Sequence, residues 1–217
     1  MSPRTIAIGD IHGCAKALAA LIAVIDPTED DVIVALGDYV DRGPESRAVV
    51  DLLIDLIDRC QLIPLLGNHE AMMLDAIELP EVHEHWCRVG GRETIESYGG
   101  SLDGVPFDHR VFLRGLNRYY ETGSHFFVHA NYDASLPLDQ QPDRLLLWEH
   151  VVHTLPGRHC SGKTAIVGHT PQATGEILDL DYLICIDTYC VGGGWLTALD
   201  VETGQVWQAN QAGKLRS

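Results

Sequence analysis

The chain has 217 residues, of which 46% are hydrophobic and 21% charged, and its formal net charge is −16 at pH 7. This length and composition can bury one sizeable core, so we expect a single domain over residues 1–217. The acidic excess argues against nucleic-acid binding, which depends on Lys and Arg contacts to phosphates. No apolar run is long enough to span a membrane, and no signal peptide precedes the first polar motif, so we expect a cytoplasmic protein without a membrane partner.

Apolar strands alternate with amphipathic helices in the first part of the chain. Strands are predicted at 5–9, 32–36 and 61–66, and helices at 14–25, 45–59 and about 70–78. Alternation at this spacing predicts βαβ units and a parallel sheet.

The middle of the chain favours helices, and the last third favours strands. Gly pairs interrupt a helix-rich segment that we interpret as an insertion over about 79–122. Strand patterns return from residue 125 and end in a predicted β-hairpin with its turn at 202–204. A parallel half followed by a strand-rich half indicates an α/β (α+β) sandwich of two sheets rather than one doubly wound sheet.

Polar side chains follow each of the first three predicted strands. Asp10 and His12 come after the first strand, Asp38 after the second, and Asn68 and His69 after the third. Ligands of open α/β sheets bind beyond the carboxyl ends of the strands, so we expect these residues to converge there.

Two later histidines, His129 and His169, also follow apolar strands. Together with the earlier cluster they offer carboxylate, imidazole and amide oxygen donors without a thiolate. This donor set suits Mn, Fe or Zn in a reactive centre rather than a cysteine-rich structural zinc site.

Five motifs occur in an order that resembles a known family: GDIHG at 9–13, GDYVDRG at 37–43, GNHE at 67–70, His129 after a strand, and GHTP at 168–171. They resemble the PPP-type metallophosphatases of the calcineurin-like metallophosphoesterase superfamily, in particular the short bacterial and phage-like serine/threonine protein phosphatases. The resemblance implies two packed mixed β-sheets flanked by helices, and a cofactor of two divalent metal ions, with Mn preferred and Fe or Zn as alternatives.

The resemblance also implies a role for each matching residue. The expected metal ligands are Asp10 and His12 for the first ion, Asp38 as the bridge, and Asn68, His129 and His169 for the second ion. A hydroxide between the ions would attack phosphorus, and two cations would make the pocket positive on an acidic protein.

His69 would act as the general acid, paired with Asp41, which fixes its tautomer and raises its basicity. Arg42 would grip the phosphate, and Asn68 would also contact the substrate. The short family members carry an arginine two residues after the tryptophan that corresponds to Trp148, and this chain has His150 there. We therefore assign His150 to substrate binding, with Arg158, Lys163 or complete loss of this clamp as alternatives.

The implied activity is phosphomonoester hydrolysis, with a phosphorylated protein or a small phosphoester as the partner. The Asp41-Arg42-Gly43 triplet favours a serine/threonine-type protein phosphatase over the related symmetrical dinucleoside-tetraphosphate hydrolases, whose matching segment usually lacks that aspartate. Phosphotyrosine hydrolysis and a non-catalytic binding module on the same fold stay open as alternatives.

The remaining histidines are expected to lie on the surface or on helix faces: His83, His85, His109, His125, His153 and His159. An accessory zinc site from His150, His153, His159 and Cys160 is a less favoured alternative, because Pro156 and Gly157 break any helical spacing between them.

Overall fold

The structure, a computed structural model, describes residues 3–217 of the chain. Within these residues ten strands form two five-stranded sheets. The strands are β1 (Thr5–Ile8), β2 (Val32–Ala35), β3 (Gln61–Pro64), β4 (Tyr119–Glu121), β5 (His125–Val128), β6 (Thr164–Val167), β7 (Leu178–Asp179), β8 (Leu183–Cys185), β9 (Leu196–Asp200) and β10 (Val206–Ala209). The α-helices are α1 (Ala15–Ile25), α2 (Ser46–Ile57), α3 (Asn68–Glu78), α4 (Pro80–Trp86), α5 (Arg92–Ser97), α6 (Phe107–Arg114) and α7 (Asp143–Trp148).

The first sheet has the strand order β10-β9-β1-β2-β3. Its parallel part, β1 to β3, is joined by α1 and α2, as the alternating pattern predicts. Helix α1 buries Leu18, Leu21 and Ile25 along one face and ends at Asp26, which adopts a left-handed conformation before Pro27. The predicted C-terminal hairpin is confirmed as the antiparallel pair of β9 and β10.

The second sheet has the order β4-β5-β6-β8-β7, in which β5, β6 and β8 are parallel and the two edge strands are antiparallel. Apolar side chains from both sheets meet in one core between them: Ala7, Val34, Leu36, Leu65, Phe127, Ile166, Ile186 and Leu199. Helices cover the outer faces. The predicted sandwich of two mixed sheets flanked by helices is confirmed.

Three helices, α4 to α6, lie in the segment that we interpreted as an insertion, with a π-helical turn at Cys87–Gly91 between α4 and α5. The end of this segment is different from the expectation, because β4 pairs with β5 and is part of the second sheet. Trp86 of α4 is buried in the same core as α2, which fixes the insertion against the first sheet.

Two of the histidines that we expected on the surface or on helix faces are buried: His109, which does lie on a helix (α6), and His159, which lies in a loop and for which the prediction is wrong. His109 lies between Asp51 and the hydroxyl of Tyr98, at 2.9 Å from each. The ring of His159 donates to the carbonyl of Leu136 and contacts Ser161. These partners satisfy both ring nitrogens and make burial tolerable. In the described part of the chain, no helix combines the length and the apolar character needed to cross a bilayer.

Candidate metal centre

The residues with predicted roles come from loops at the carboxyl ends of the parallel strands in both sheets. Asp10 follows β1, Asp38 follows β2, and Asn68 and His69 form the first turn of α3 after β3. His129 and His169 follow β5 and β6 of the second sheet. Each sheet therefore supplies part of one site at the edge that the two sheets share.

Close backbone packing brings these loops together. Gly37 has φ of +103°, and a Cβ there would lie 2.8 Å from Nδ1 of His129 and 2.7 Å from the backbone N of Gly67. A Cβ on Gly67 would in turn lie 2.3 Å from Oδ1 of Asp38. Only glycine fits at both positions, because any side chain would push the ligand-bearing loops apart.

The ring of His129 lies at the centre of one group of donor atoms. Its Nδ1 donates to the carbonyl of Leu36 at 2.8 Å, so in the neutral ring Nε2 carries a lone pair. That lone pair faces Oδ1 of Asn68 at 3.0 Å, Nδ1 of His169 at 3.2 Å and Oδ1 of Asp38 at 3.4 Å. Several of these atoms are acceptors that cannot satisfy one another, and a cation among them would.

A second group of donor atoms shares Asp38. His12 donates from Nδ1 to the carbonyl of Val40 at 2.9 Å, which leaves the lone pair of Nε2 at 3.4 Å from Oδ2 of Asp38. Possible ligand atoms of His12, Asp38 and His69 all lie within 4.8 Å of one another, as do those of Asp38, His129 and His169. Asp38 is thus common to both groups.

The charge states of the imidazoles favour the binding of cations. Burial lowers the pKa of His12 and of His169 to about 3 and also lowers the pKa of His129. These three rings are therefore neutral at pH 7, with lone pairs available to a cation. The residues present fit a pair of divalent ions with oxygen and nitrogen ligands.

Asp10 lies outside both of these groups, although it borders them. Both of its carboxylate oxygens accept the backbone N–H of His169, at 3.1 and 3.0 Å. Burial, followed by the negative charges of Asp187 and Asp38, raises the pKa of Asp10 well above its usual value. Asp187 is a site residue to which we assigned no role from the sequence, although it follows an apolar strand as the predicted ligands do.

His69, which belongs to the group of His12 and Asp38, also forms a buried pair with Asp41. Nδ1 of His69 donates to Oδ2 of Asp41 at 2.7 Å, so the predicted partners are in contact. Burial disfavours the charged ring, but the carboxylates of Asp38 and Asp41 prevail and raise the pKa of His69. His69 thus differs from the neutral imidazoles around it.

Two residues of the helical insertion hold Asp41 in place, and we did not identify them from the sequence. The indole N–H of Trp86 donates to Oδ2 of Asp41, and the hydroxyl of Thr94 donates to Oδ1, both at 2.7 Å. No motif marks these residues, and they are far from Asp41 in the chain. Only the folded structure shows that the insertion positions Asp41 and, through it, His69.

Arg42 lies against the donor group that contains His12, where its Nη1 donates to Nε2 of His12 at 2.9 Å. Its backbone N–H donates to the carbonyl of Gly90 in the π-helical turn, at 3.0 Å. The insertion therefore also fixes the loop that carries the guanidinium. A cation bound at His12 would compete with Arg42 for this lone pair.

His150 lies beside His169, with the two rings stacked and their centroids 4.3 Å apart. Burial and the neighbouring His153 lower the pKa of His150, so this ring is neutral where an arginine would carry a fixed charge. The two alternatives have partners elsewhere: Arg158 lies over the ring of Tyr182, and Lys163 pairs with Glu121.

The accessory zinc site is not formed in the part of the chain that the structure describes. His150 and His153 are adjacent, but the ring of His159 is occupied by Leu136 and Ser161. The groups of potential ligand atoms found among residues 3–217 do not include Cys160.

Comparison with known proteins agrees with this geometry. The family model described as "Calcineurin-like phosphoesterase" matches residues 3–201. The chain belongs to this family. Family members use a dinuclear metal centre, and the two donor groups that share Asp38 are consistent with one. The family that the five motifs indicated is confirmed.

The proteins that this chain resembles carry names that state different activities. Serine/threonine-protein phosphatase 1 of Salmonella typhimurium is 30% identical over 206 residues, which cover 90% of each chain. A symmetrical bis(5'-nucleosyl)-tetraphosphatase of Cellvibrio japonicus is 41% identical, over 94% of this chain and 97% of that one. A cold-active protein-tyrosine phosphatase of Shewanella has the same fold, with a TM-score of 0.72 and 16% identity over all of this chain and 80% of its own. The chain is thus a hydrolase of the metallophosphoesterase family, and these names do not agree on one substrate.

The hydrogen bond from Trp86 to Asp41 predicts a stability effect. Trp86→Phe keeps a ring in the core but removes one donor from a buried carboxylate, so we expect a loss of about 1.5–3 kcal/mol in the free energy of unfolding. Urea denaturation followed by circular dichroism measures it. Trp148→Phe is the control, because Trp148 is 45% exposed and its indole N–H has no partner in the described residues. Equal stability of the two variants would contradict the assignment.

Proposed function

We propose that this chain hydrolyses phosphate monoesters, with His69 as the proton donor to the leaving group. The observation that carries the proposal is the contact of 2.7 Å between His69 Nδ1 and Asp41, next to donor atoms that can hold two cations. This contact fixes the tautomer of the ring and leaves Nε2 free to face a substrate.

The cations would be held by Asp10, His12 and Asp38 at the first position, and by Asp38, Asn68, His129 and His169 at the second. When bound, they lower the pKa of water and neutralise phosphate oxygens. We propose Mn²⁺ for both positions, because carboxylate, imidazole and amide oxygen ligands without thiolate suit it.

Arg42 is the proposed phosphate ligand. Its guanidinium lies beside the donor atoms of His12 and can bind two phosphate oxygens with a planar pair of N–H donors. His150 is neutral at pH 7, so it can donate one hydrogen bond to the phosphate but adds no charge. We therefore assign most of the electrostatic attraction between side chains and substrate to Arg42. We propose that Asn68, whose Oδ1 lies 3.0 Å from Nε2 of His129, contacts the substrate as well.

For the substrate class, a serine/threonine-type phosphoprotein is our leading proposal. The Asp41-Arg42-Gly43 triplet supports it, since Asp41 holds His69 as the resemblance to protein phosphatases implies. A dinucleoside tetraphosphate is the second candidate, and the relative from Cellvibrio japonicus, at 41% identity over nearly the whole chain, favours it.

A substrate panel tests this proposal. We expect the Mn²⁺-loaded protein to turn over a phosphoserine peptide faster than a phosphotyrosine peptide or diadenosine tetraphosphate. His69→Ala should lower kcat on the phosphoserine peptide by about 10²–10⁴, because an alkoxide needs a proton as it leaves. The loss should be smaller on nitrophenyl phosphate, whose leaving group is stable as an anion.

His85→Ala is the matched control, because His85 is exposed on α4. Cleavage of the dinucleotide alone would replace the leading substrate class with the second candidate. No turnover of any phosphoester above the level of His69→Ala would leave the non-catalytic binding module as the better interpretation.

The pKa of His69 predicts the pH dependence of turnover. The ring must be protonated to act, so activity is lost as the pH rises through its raised pKa. Asp41→Asn removes one of the charges that raise this pKa, and the alkaline limb of the kcat profile should move to lower pH. The profile of kcat against pH for both proteins measures the shift. An alkaline limb that stays in place would show that another group limits turnover.

A further inference from the structure

The two predicted cation positions have unequal numbers of protein ligands. The second position has four side chains, of Asp38, Asn68, His129 and His169, whereas the first has only those of Asp10, His12 and Asp38. A buried carboxylate that none of these assignments uses, Asp187, borders the first position.

The register of the second sheet places Asp187 at the same edge of the sheet as the proposed ligand His169. Strands β6 and β8 are parallel, and Val167 pairs with Cys185. His169 and Asp187 each come two residues later, so they leave the sheet at the same edge. Asp187 therefore shares the placement of every other predicted ligand, at the carboxyl end of a parallel strand.

Tight packing between the sheets brings Asp187 toward Asp10. A Cβ on Gly9 would lie 2.6 Å from the carbonyl oxygen of Ile186, so the residues directly before Asp10 and Asp187 are in close backbone contact. Gly9 permits this contact because it has no side chain. The negative charge of Asp187 also ranks directly after burial among the causes that raise the pKa of Asp10.

The carboxylate of Asp187 has few partners for its position. Asp187 is only 6% exposed, and its Oδ1 accepts the backbone N–H of Tyr189 at 3.0 Å. Its other oxygen accepts no hydrogen bond from residues 3–217 and is open to solvent. Neither Asp187 nor Asp10 forms an ion pair with a Lys, Arg or His in that range. Two neighbouring buried carboxyl groups that form no ion pair are costly to ionise together, and a bound cation would offset this cost.

We propose that Asp187 is a further ligand of the first cation, through the carboxylate oxygen that Tyr189 does not bind. The contact is made to the ion itself or to water bound to it. With Asp187, the first position has four side chains like the second, and three of them are carboxylates. The inference rests on the proposed two-cation centre and names a residue that the five motifs do not contain.

This role has an energetic signature that a structural role lacks. Without metal, ionising Asp187 beside Asp10 costs free energy, so Asp187 should not stabilise the fold. With metal, the same charge should stabilise it by binding the cation. A residue that only held the backbone of Tyr189 would contribute equally under both conditions.

The test compares Asp187→Asn with a matched control, Asp200→Asn. Asp200 is also a buried carboxylate, 3% exposed, and it accepts backbone N–H groups of Glu202 and Thr203 in the hairpin turn. Each protein is stripped with EDTA and titrated with Mn²⁺ by calorimetry, and its Tm is measured in EDTA and in saturating Mn²⁺.

We expect Asp187→Asn to weaken one of the two Mn²⁺ sites by about 10–100-fold, as loss of a ligand or of a group that orients one does. Its Tm should equal or exceed that of the wild type in EDTA and should rise less when Mn²⁺ is added. Asp200→Asn should bind both ions with wild-type affinity.

Unchanged Mn²⁺ affinities in Asp187→Asn would overturn the inference while leaving the two-cation centre intact. A Tm that falls equally with and without Mn²⁺, or loss of the folded state in EDTA, would overturn it too, because Asp187 would then be structural. Failure of the wild-type protein to bind Mn²⁺ would instead remove the proposed centre itself.

Discussion

Lone pairs that face one another around Asp38 are the constraint on which the rest of this molecule depends. The carbonyls of Leu36 and Val40 take the ring protons of His129 and His12, so the opposite nitrogen of each neutral ring points at a carboxylate oxygen. Burial keeps these rings neutral, and it would be unfavourable for so many acceptor atoms without a positive partner. The same arrangement becomes favourable once cations bind, which explains how a strongly acidic protein can attract an anionic phosphate.

Holding those atoms together requires strained backbone, and the surrounding structure supports it. Five site residues have positive φ: His12, Asp38, Asp41, Arg42 and His169. Such conformations cost on the order of 1–3 kcal/mol each for residues other than glycine. The backbone N–H of each of these residues is hydrogen-bonded within the site, to groups that include the carboxylate of Glu70, the hydroxyl of Thr94 and the carbonyl of Gly90. Glu70 alone accepts the N–H groups of Gly67, Asp38, Tyr39 and Val40, so GNHE stabilises the loop after β2 as well as supplying Asn68 and His69.

The sequence predicted the sandwich and the gathering of most site residues, because strand periodicity and motif spacing are local signals. It did not reveal Trp86 and Thr94, since a hydrogen bond from the insertion to Asp41 leaves no pattern in the chain. The burial of His109 and His159 was also missed for this reason, as their partners become neighbours only on folding. Asp187 did have a signal, an acidic residue directly after an apolar strand, but its significance depends on the packing of Gly9 against Ile186. Substrate preference has no comparable local signature, and relatives of different specificity share these ligand motifs.

The central claim is that Asp38 is shared by two cations, and electron paramagnetic resonance of the Mn²⁺-loaded protein tests it most directly. Two Mn²⁺ ions bridged by one carboxylate lie about 3.5–4 Å apart and are magnetically coupled. We expect the spectrum of an exchange-coupled pair at two ions per chain, and we expect Asp38→Asn to abolish the coupling. The spectrum of isolated Mn²⁺ ions at full loading of the wild-type protein would contradict a shared ligand and, with it, the two-cation centre described above.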